Sequence, residues 1–502
     1  MKQPHRSADN GDGTYRNPVL HADWSDPDAI RVGDDFYMTA SSFHRVPGLP
    51  ILHSRDLVNW TIIGHALARL EPEAEFQAPQ RGGGVWAPAL RHHGGRFRIV
   101  YPDPDRGLFV TSAEDPVGPW TVPHALKTGK GLIDPCPLWT EDGGAYLVHG
   151  WAKSRAGINN RLTVHRMSPD ATELLDEGAV VIDGDALPGY RTLEGPKFYR
   201  RGEWYWIFAP AGGVTEGWQS AFRSRDPFGP YEGRIVLAQG GTDVNGPHQG
   251  AWVDTADGSD WFLHFQDKGP YGRVVHLQPM RWGEDGWPVI GDGGEPVASH
   301  AKPCEGGPVA APDAADDFAT GIGPQWSWQA NPEPHWGNAD SGLRLACLPS
   351  DGDLRLLPNL LGQRLPAERF QARTLLRLDA GPGARAGLAV VGDTYAWIGL
   401  ERTENGVDLV YRVREGGAEE DAAREPADDV AAIGVDVDAG GRCRFLTGAV
   451  PRQVGPVFQA TEGRWVGAAL GLFATTADLL VSGTAEFGPL RVTEGRAGDY
   501  EG

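Results

Sequence analysis

Residues 134–149 read DPCPLWTEDGGAYLVH. A carboxylate opens the stretch, a short strand-forming run follows, EDGG makes a turn, and an aromatic-bearing run returns. The same layout recurs at 26–40 (DPDAIRVGDDFYMTA), 86–101 (WAPALRHHGGRFRIVY), 194–209 (EGPKFYRRGEWYWIFA) and 248–265 (HQGAWVDTADGSDWFLHF). The turns GDD, HGG, RRGE and ADGS carry hairpin chemistry. A second half recurs in phase: SRDLVNW at 54–60, SAEDPVGPW at 112–120 and SRDPFGPY at 224–231. Two hairpins per unit predict a four-stranded antiparallel sheet. Five such sheets around an axis predict a five-bladed β-propeller, ahead of a sandwich array with accidental similarity.

Composition agrees. The 69 Gly and 40 Pro make up roughly a fifth of the 502 residues, against about an eighth in average usage, which excludes a helical bundle. With 40% hydrophobic and 23% charged residues the chain has the means to build a core. A net charge of −21 excludes nucleic acid and anionic lipid as natural partners. The 4 Cys, at 136, 304, 347 and 443, show no CxxC spacing, so neither a disulfide scaffold nor a zinc knuckle is expected. No run approaches a membrane span; VGAALGLFA (466–474) is strand-sized. MKQPHRSADNGDGTYRN lacks the apolar core of a signal peptide, so a cytoplasmic location is expected.

The propeller domain is expected over 14–292. A Gly/Pro/Ala-rich linker is expected over 293–316. Short alternating strands over 317–496 predict an antiparallel β-sandwich. No convergent catalytic set is visible in that second domain, and Trp326, Trp328 and Trp336 are expected to pack its core rather than form a sugar platform.

In a propeller the innermost strand of each blade lines the central channel, and its first residues face the mouth. The openers Asp26, Trp86, Asp134, Glu194 and His248 therefore converge on one funnel. Carboxylates gathered in a confined site repel one another and are a functional signal. Acids on separate rigid strands suit glycoside hydrolysis, in which one gives a proton to the leaving oxygen and another activates water or attacks the sugar. Phe43, Trp86 and Trp24 are candidates to stack on sugar faces. A closed funnel admits a chain end, which favours exo-cleavage. Alternatives exist at single positions: Asp23 or Asp28 for Asp26, and an ion pair with Arg191 for Glu194. Cys136 reads as a buried free thiol.

The first 290 residues resemble glycoside hydrolase family 43, the five-bladed β-propeller β-xylosidases and α-L-arabinofuranosidases. The residues that carry the likeness are NPVLHADWSDPDAIRVGDDFYMTASSF with PILHSRDLVNW, VWAP, IDPCPLW, EGPKFY, GPHQGAW and YGRVVHLQPMRW. DDF…W.W.NP and GLFAT resemble the concanavalin-like β-sandwich appended to many members. The resemblance implies Asp26 as general base, Glu194 as general acid and Asp134 as the acid that tunes and orients the donor. It implies that Arg273 contacts the sugar, that Phe43 and Trp86 wall the pocket, and that His248 lies beside a structural Ca²⁺ or water in the channel, with no cofactor for the chemistry. An inverting mechanism on xylo- or arabino-oligosaccharides follows, releasing terminal β-1,4-linked xylose, with arabinofuranoside cleavage as the alternative. His44 and Arg45 stand where β-xylosidases of the family often carry an acidic–aromatic pair. A non-catalytic sugar-binding propeller and an endo-acting arabinan hydrolase are the competing readings, and an oligomer is compatible with all of them.

Overall fold

In a computed structural model, residues 8–306, 309, 311–477 and 483–494 are described. Five four-stranded antiparallel sheets follow one another, each with its strands in chain order. Their innermost strands are Asp28–Val32, Ala89–His93, Leu132–Trp139, Lys197–Arg201 and His248–Asp254. These are the strands expected from the repeat, and the sheets are blades one to five of a propeller.

Alternation along each strand explains why the blades stack. In blade one Phe36 and Met38 join an apolar seam with Ala251, Val253 and Leu263 of blade five. Tyr37, between them, turns the other way into the seam with Leu90, Phe97 and Ile99 of blade two. In blade four Trp206 and Phe208 pack toward Phe262 of blade five, whereas Tyr205 and Ile207 pack toward Val148 and Leu162 of blade three. A strand with both faces buried in this way has its register specified twice, since a one-residue slip would swap the two seams.

The ring is closed by the N-terminal segment. Leu20 bridges Val275 of blade five, and the Tyr15 hydroxyl and Asn17 amide both donate to the Leu277 carbonyl. Thr14–Arg16 pairs antiparallel with Ser299–Ala301. This corrects the expected linker over 293–316: its first part is docked backbone. Gly and Pro there hide a short strand because the pairing satisfies backbone groups and asks little of the side chains. Residues 307, 308 and 310 of that span, and 478–482 and 495–496 of the expected sandwich, lie outside the described residues.

The C-terminal domain is a sandwich of two mainly antiparallel sheets. Trp326, Trp328 and Trp336 are buried in its core, as expected. Two propeller residues, Tyr271 and Val274 of blade five, belong to the same core. The Tyr271 hydroxyl lies 2.7 Å from both the Glu368 and the Asp438 carbonyl oxygens, which compete for its one proton, so the domains share packing and hydrogen bonding. No described helix is long and apolar enough to cross a membrane.

Candidate active site

At or directly after four of the five blade openers the backbone is bent out of ordinary strand geometry. Asp26 and Asp134 both have φ of 56°, Gln249 has 32° and Gly195 has 57°. The left-handed region is unfavourable for non-glycine residues and persists where surroundings over-determine it. In blades three and five the register shifts at the same place, between Ile133 and Cys136 and between His248 and Gly250. A bulge of this kind re-aims a side chain.

The three acids occupy unlike surroundings. Asp26 is buried and gripped on all sides: Ser25 and Ser41 hydroxyls donate to Oδ2 at 3.0 and 2.5 Å, and Arg273 Nη1 lies 3.2 Å from Oδ1. Asp134 is buried, and its Oδ2 accepts the Gly195 N–H at 2.8 Å. Burial pushes the Asp134 carboxyl up, and the neighbouring Glu194 and then Asp26 add to the push; Gly195 N–H and Lys197 oppose it. Glu194 has the most open side chain of the three, at 26% exposure against 9% for Asp26. Its Oε1 faces His248 Nε2 at 3.1 Å. The His248 Nδ1 is buried without a partner, so the proton is assigned to Nε2, which donates to Glu194. The alternative pairing of Glu194 with Arg191 does not occur; Arg191 pairs with Glu216.

The aromatic wall departs from expectation at two positions, Phe43 and Trp24. Phe43 and Trp86 meet edge to face, with ring centroids 6.3 Å apart. Phe43 is almost wholly buried and held by paired backbone bonds to Val85, so it backs the half-exposed Trp86. Trp24 is buried elsewhere: the Arg364 guanidinium of the sandwich covers its ring at 3.8 Å. Cys136 is a buried free thiol, as expected, and its sulfur accepts from Arg91 Nη2 and the Phe198 amide.

Sequence reasoning saw nothing functional in the second domain, and here it missed a contribution. The loop after Thr461 reaches over the propeller, bringing the Trp465 ring to 6.1 Å from Trp86. Glu462 on the same loop lies within electrostatic reach of Arg273: burial raises its carboxyl and the guanidinium opposes the rise. The GRWVG segment gave one signal, a tryptophan flanked by two glycines; in the structure it is 44% exposed. Ser25, Ser41 and Asp23 were also overlooked as partners of the named residues.

A channel cation would find little to hold it. The unpartnered Nδ1 of His248 is one donor atom, and among the described residues no group of three or more His, Cys, Asp or Glu is arranged around a metal site. The next side chains along the innermost strands form a buried ion lattice. Asp28 Oδ2 accepts from Arg91 Nη1 at 2.8 Å, and Lys197 Nζ lies 3.7 Å from Asp28 Oδ1. Two buried cations to one anion do not fit a divalent metal, so no step is derived through Ca²⁺.

The family model described as Glycosyl hydrolases family 43 matches residues 15–288, more than half of the chain. The chain belongs to glycosyl hydrolase family 43. A second model, the beta xylosidase C-terminal concanavalin A-like domain, matches residues 315–493. Within the family it is 43% identical over 401 residues to a Xylanibacter ruminicola relative that carries a provisional β-xylosidase name, covering 78% of this chain and 73% of that one. It is 32% identical over 529 residues to a beta-xylosidase of Formosa agariphila (93% and 88% covered). It is 30% identical over 425 residues to a non-reducing end alpha-L-arabinofuranosidase of Bacteroides ovatus (80% and 78%). Among solved structures, a xylan beta-1,4-xylosidase from Bacillus halodurans superposes with a TM-score of 0.86 at 23% identity, covering 95% of this chain and all of that one; at this identity the likeness concerns the fold.

Proposed function

We propose that this family 43 member is an exo-acting, inverting glycosidase that releases terminal β-1,4-linked xylose from xylo-oligosaccharides. The observation that carries the reading is the unequal environment of the acids. Glu194 is the open one, with His248 behind it and Asp134 tied to the next residue of its backbone. Asp26 is fixed by Arg273 and two serines.

In this reading Glu194 gives its proton to the glycosidic oxygen as the C–O bond breaks. Asp26 takes a proton from the water that attacks the anomeric carbon from the other face, so the configuration inverts. Asp134, whose carboxyl burial and Glu194 push up, steadies the Glu194 backbone through the Gly195 N–H. Arg273 orients Asp26 and the sugar beside it. Trp86 offers a face for the pentose ring, and Trp465 roofs the mouth, which suits a chain end over a chain middle.

The experiment is hydrolysis of p-nitrophenyl β-D-xylopyranoside and p-nitrophenyl α-L-arabinofuranoside side by side, with Glu194→Ala and Asp26→Ala as controls. Turnover of the xyloside, lost in both variants, supports the reading. Full activity in both variants would sink it. Preference for the arabinofuranoside would favour the second reading, an α-L-arabinofuranosidase. His44, which is buried and directly follows Phe43, and Arg45, which is partly exposed, line a small pocket with Gly463, Arg464 and Gly467 of the sandwich loop; they are the observation behind that alternative, since one or two pocket contacts separate the two pentoses.

A further inference from the structure

We propose that Asp23 is a positioning residue for this hydrolysis, its two carboxylate oxygens holding the Arg273 backbone and the sandwich loop at Gly467 in one register. The proposal rests on the reading of Asp26 as the base.

Asp23 is buried, and each oxygen has its own backbone partner. Oδ1 accepts the Arg273 N–H at 3.0 Å, and Oδ2 accepts the Gly467 N–H at 2.9 Å. Arg45 Nη1 lies 4.0 Å from Oδ2 and gives the buried carboxylate its counter-charge. The Asp23 carbonyl is also taken, by Arg364 Nε of the sandwich at 2.5 Å.

Arg273 is thereby held by four consecutive residues. The Asp23 side chain accepts its N–H, and the Trp24 N–H donates to its carbonyl at 2.9 Å. The Ser25 hydroxyl accepts from Nη1 at 2.5 Å, and Asp26 faces the same nitrogen. The first two grips set where the Arg273 main chain sits. The last two depend on that position, because Nη1 must reach Ser25 and Asp26 at once.

The fit around Asp23 is close. Gly272 has φ of 69°, and a Cβ there would lie 2.4 Å from Asp23 Oδ1. A Cβ on Gly467 would lie 2.6 Å from the Gly272 nitrogen. The root of the sandwich loop therefore sits directly on the blade-five turn that presents Arg273. That loop carries Trp465 two residues earlier, so one carboxylate links the guanidinium beside Asp26 to the roof over Trp86.

A side chain that merely tied the domains together would change stability and leave turnover alone. A positioning residue changes kcat, since displacing a reacting group by about 1 Å costs on the order of 100-fold. The test compares Asp23→Asn and Asp23→Ala with wild type on p-nitrophenyl xyloside and on xylobiose, at a temperature well below each melting transition. Asn can accept only one of the two N–H groups. Expected are a kcat loss of about tenfold for Asp23→Asn and about 100-fold for Asp23→Ala, the conservative variant thus recovering part, with KM for xylobiose also raised as the roof shifts. If kcat stays within about threefold of wild type, whatever happens to Tm, the proposal is overturned. Should Asp23→Ala not fold, the isosteric Asp23→Asn decides alone. Asp26→Asn is measured in parallel: retained turnover there would remove the base assignment itself, a result distinct from an inert Asp23.

Discussion

Asp134 Oδ2 accepts the N–H of Gly195 at 2.8 Å, so the acid of blade three holds the backbone that carries Glu194 of blade four. That contact favours the ionised acid, but burial and the neighbouring acids outweigh it. Burial and the facing Glu194 raise its carboxyl in the folded state, while in the unfolded chain it titrates normally. Below the unfolded value the protonated acid is present in both states and the fold bears no penalty. As pH rises past that value the unfolded chain ionises first, and stability is lost until the folded carboxyl also ionises. Asp134→Asn removes this loss and keeps an oxygen for the Gly195 N–H. The variant is expected to gain on wild type as pH goes from 4 to 8, by on the order of 1–3 kcal/mol, while losing turnover. Thermal melts across that pH range check the sign; a difference independent of pH would refute it.

His248 supports Glu194 from behind through Nε2, its Nδ1 makes no hydrogen bond, and its ring rests against Phe265. His248→Ala frees the Glu194 carboxyl to rotate and lets water in beside it. A kcat reduction of about 10- to 100-fold with a smaller change in KM is expected, the scale for losing the orientation of an acid catalyst. Steady-state kinetics on an aryl xyloside would show it.

Trp465 reaches the mouth from the other domain and remains 44% exposed, so removing it costs little packing. Trp465→Ala is expected to raise KM for xylobiose by roughly 2- to 10-fold, the equivalent of about 0.5–1.5 kcal/mol of aromatic contact. The melting temperature should hardly move. An unchanged KM on every substrate would place Trp465 outside the sugar site.

Arg91 and Lys197 surround Asp28, which has no exposed surface. Arg91→Met leaves that carboxylate with one cation at 3.7 Å and also removes a donor to the Cys136 sulfur. Breaking a buried pair from one side costs about 3–5 kcal/mol. The expected result is a lower propeller melting transition, partly restored by adding Asp28→Asn, read by calorimetry. A double variant no better than the single one would contradict the lattice.

The blades, their order and the three acids were legible because a propeller repeats. Each unit shows the same alternation and the same turn chemistry, and the opener of each unit lands at the same end of the channel. The linker strand was not legible, because Gly and Pro conceal backbone pairing that only Thr14–Arg16 reveals. Trp24 was misread for a related reason. It lies two residues before Asp26, yet the Arg364 side chain, some 340 residues away, decides that it faces the other domain.

The sequence by itself determined the five-sheet ring, the sandwich and the identity of Asp26, Asp134 and Glu194 as the acids to watch, since local periodicity and repeat phase are properties of neighbours in the chain. The tertiary structure alone decided which acid is open and which are enclosed, that Arg273 grips Asp26, and that Trp465 and Asp23 bring the second domain into the site. Burial, hydrogen-bond partners and opposing charge come from residues tens to hundreds of positions apart, and no spacing along the chain encodes their distance in space.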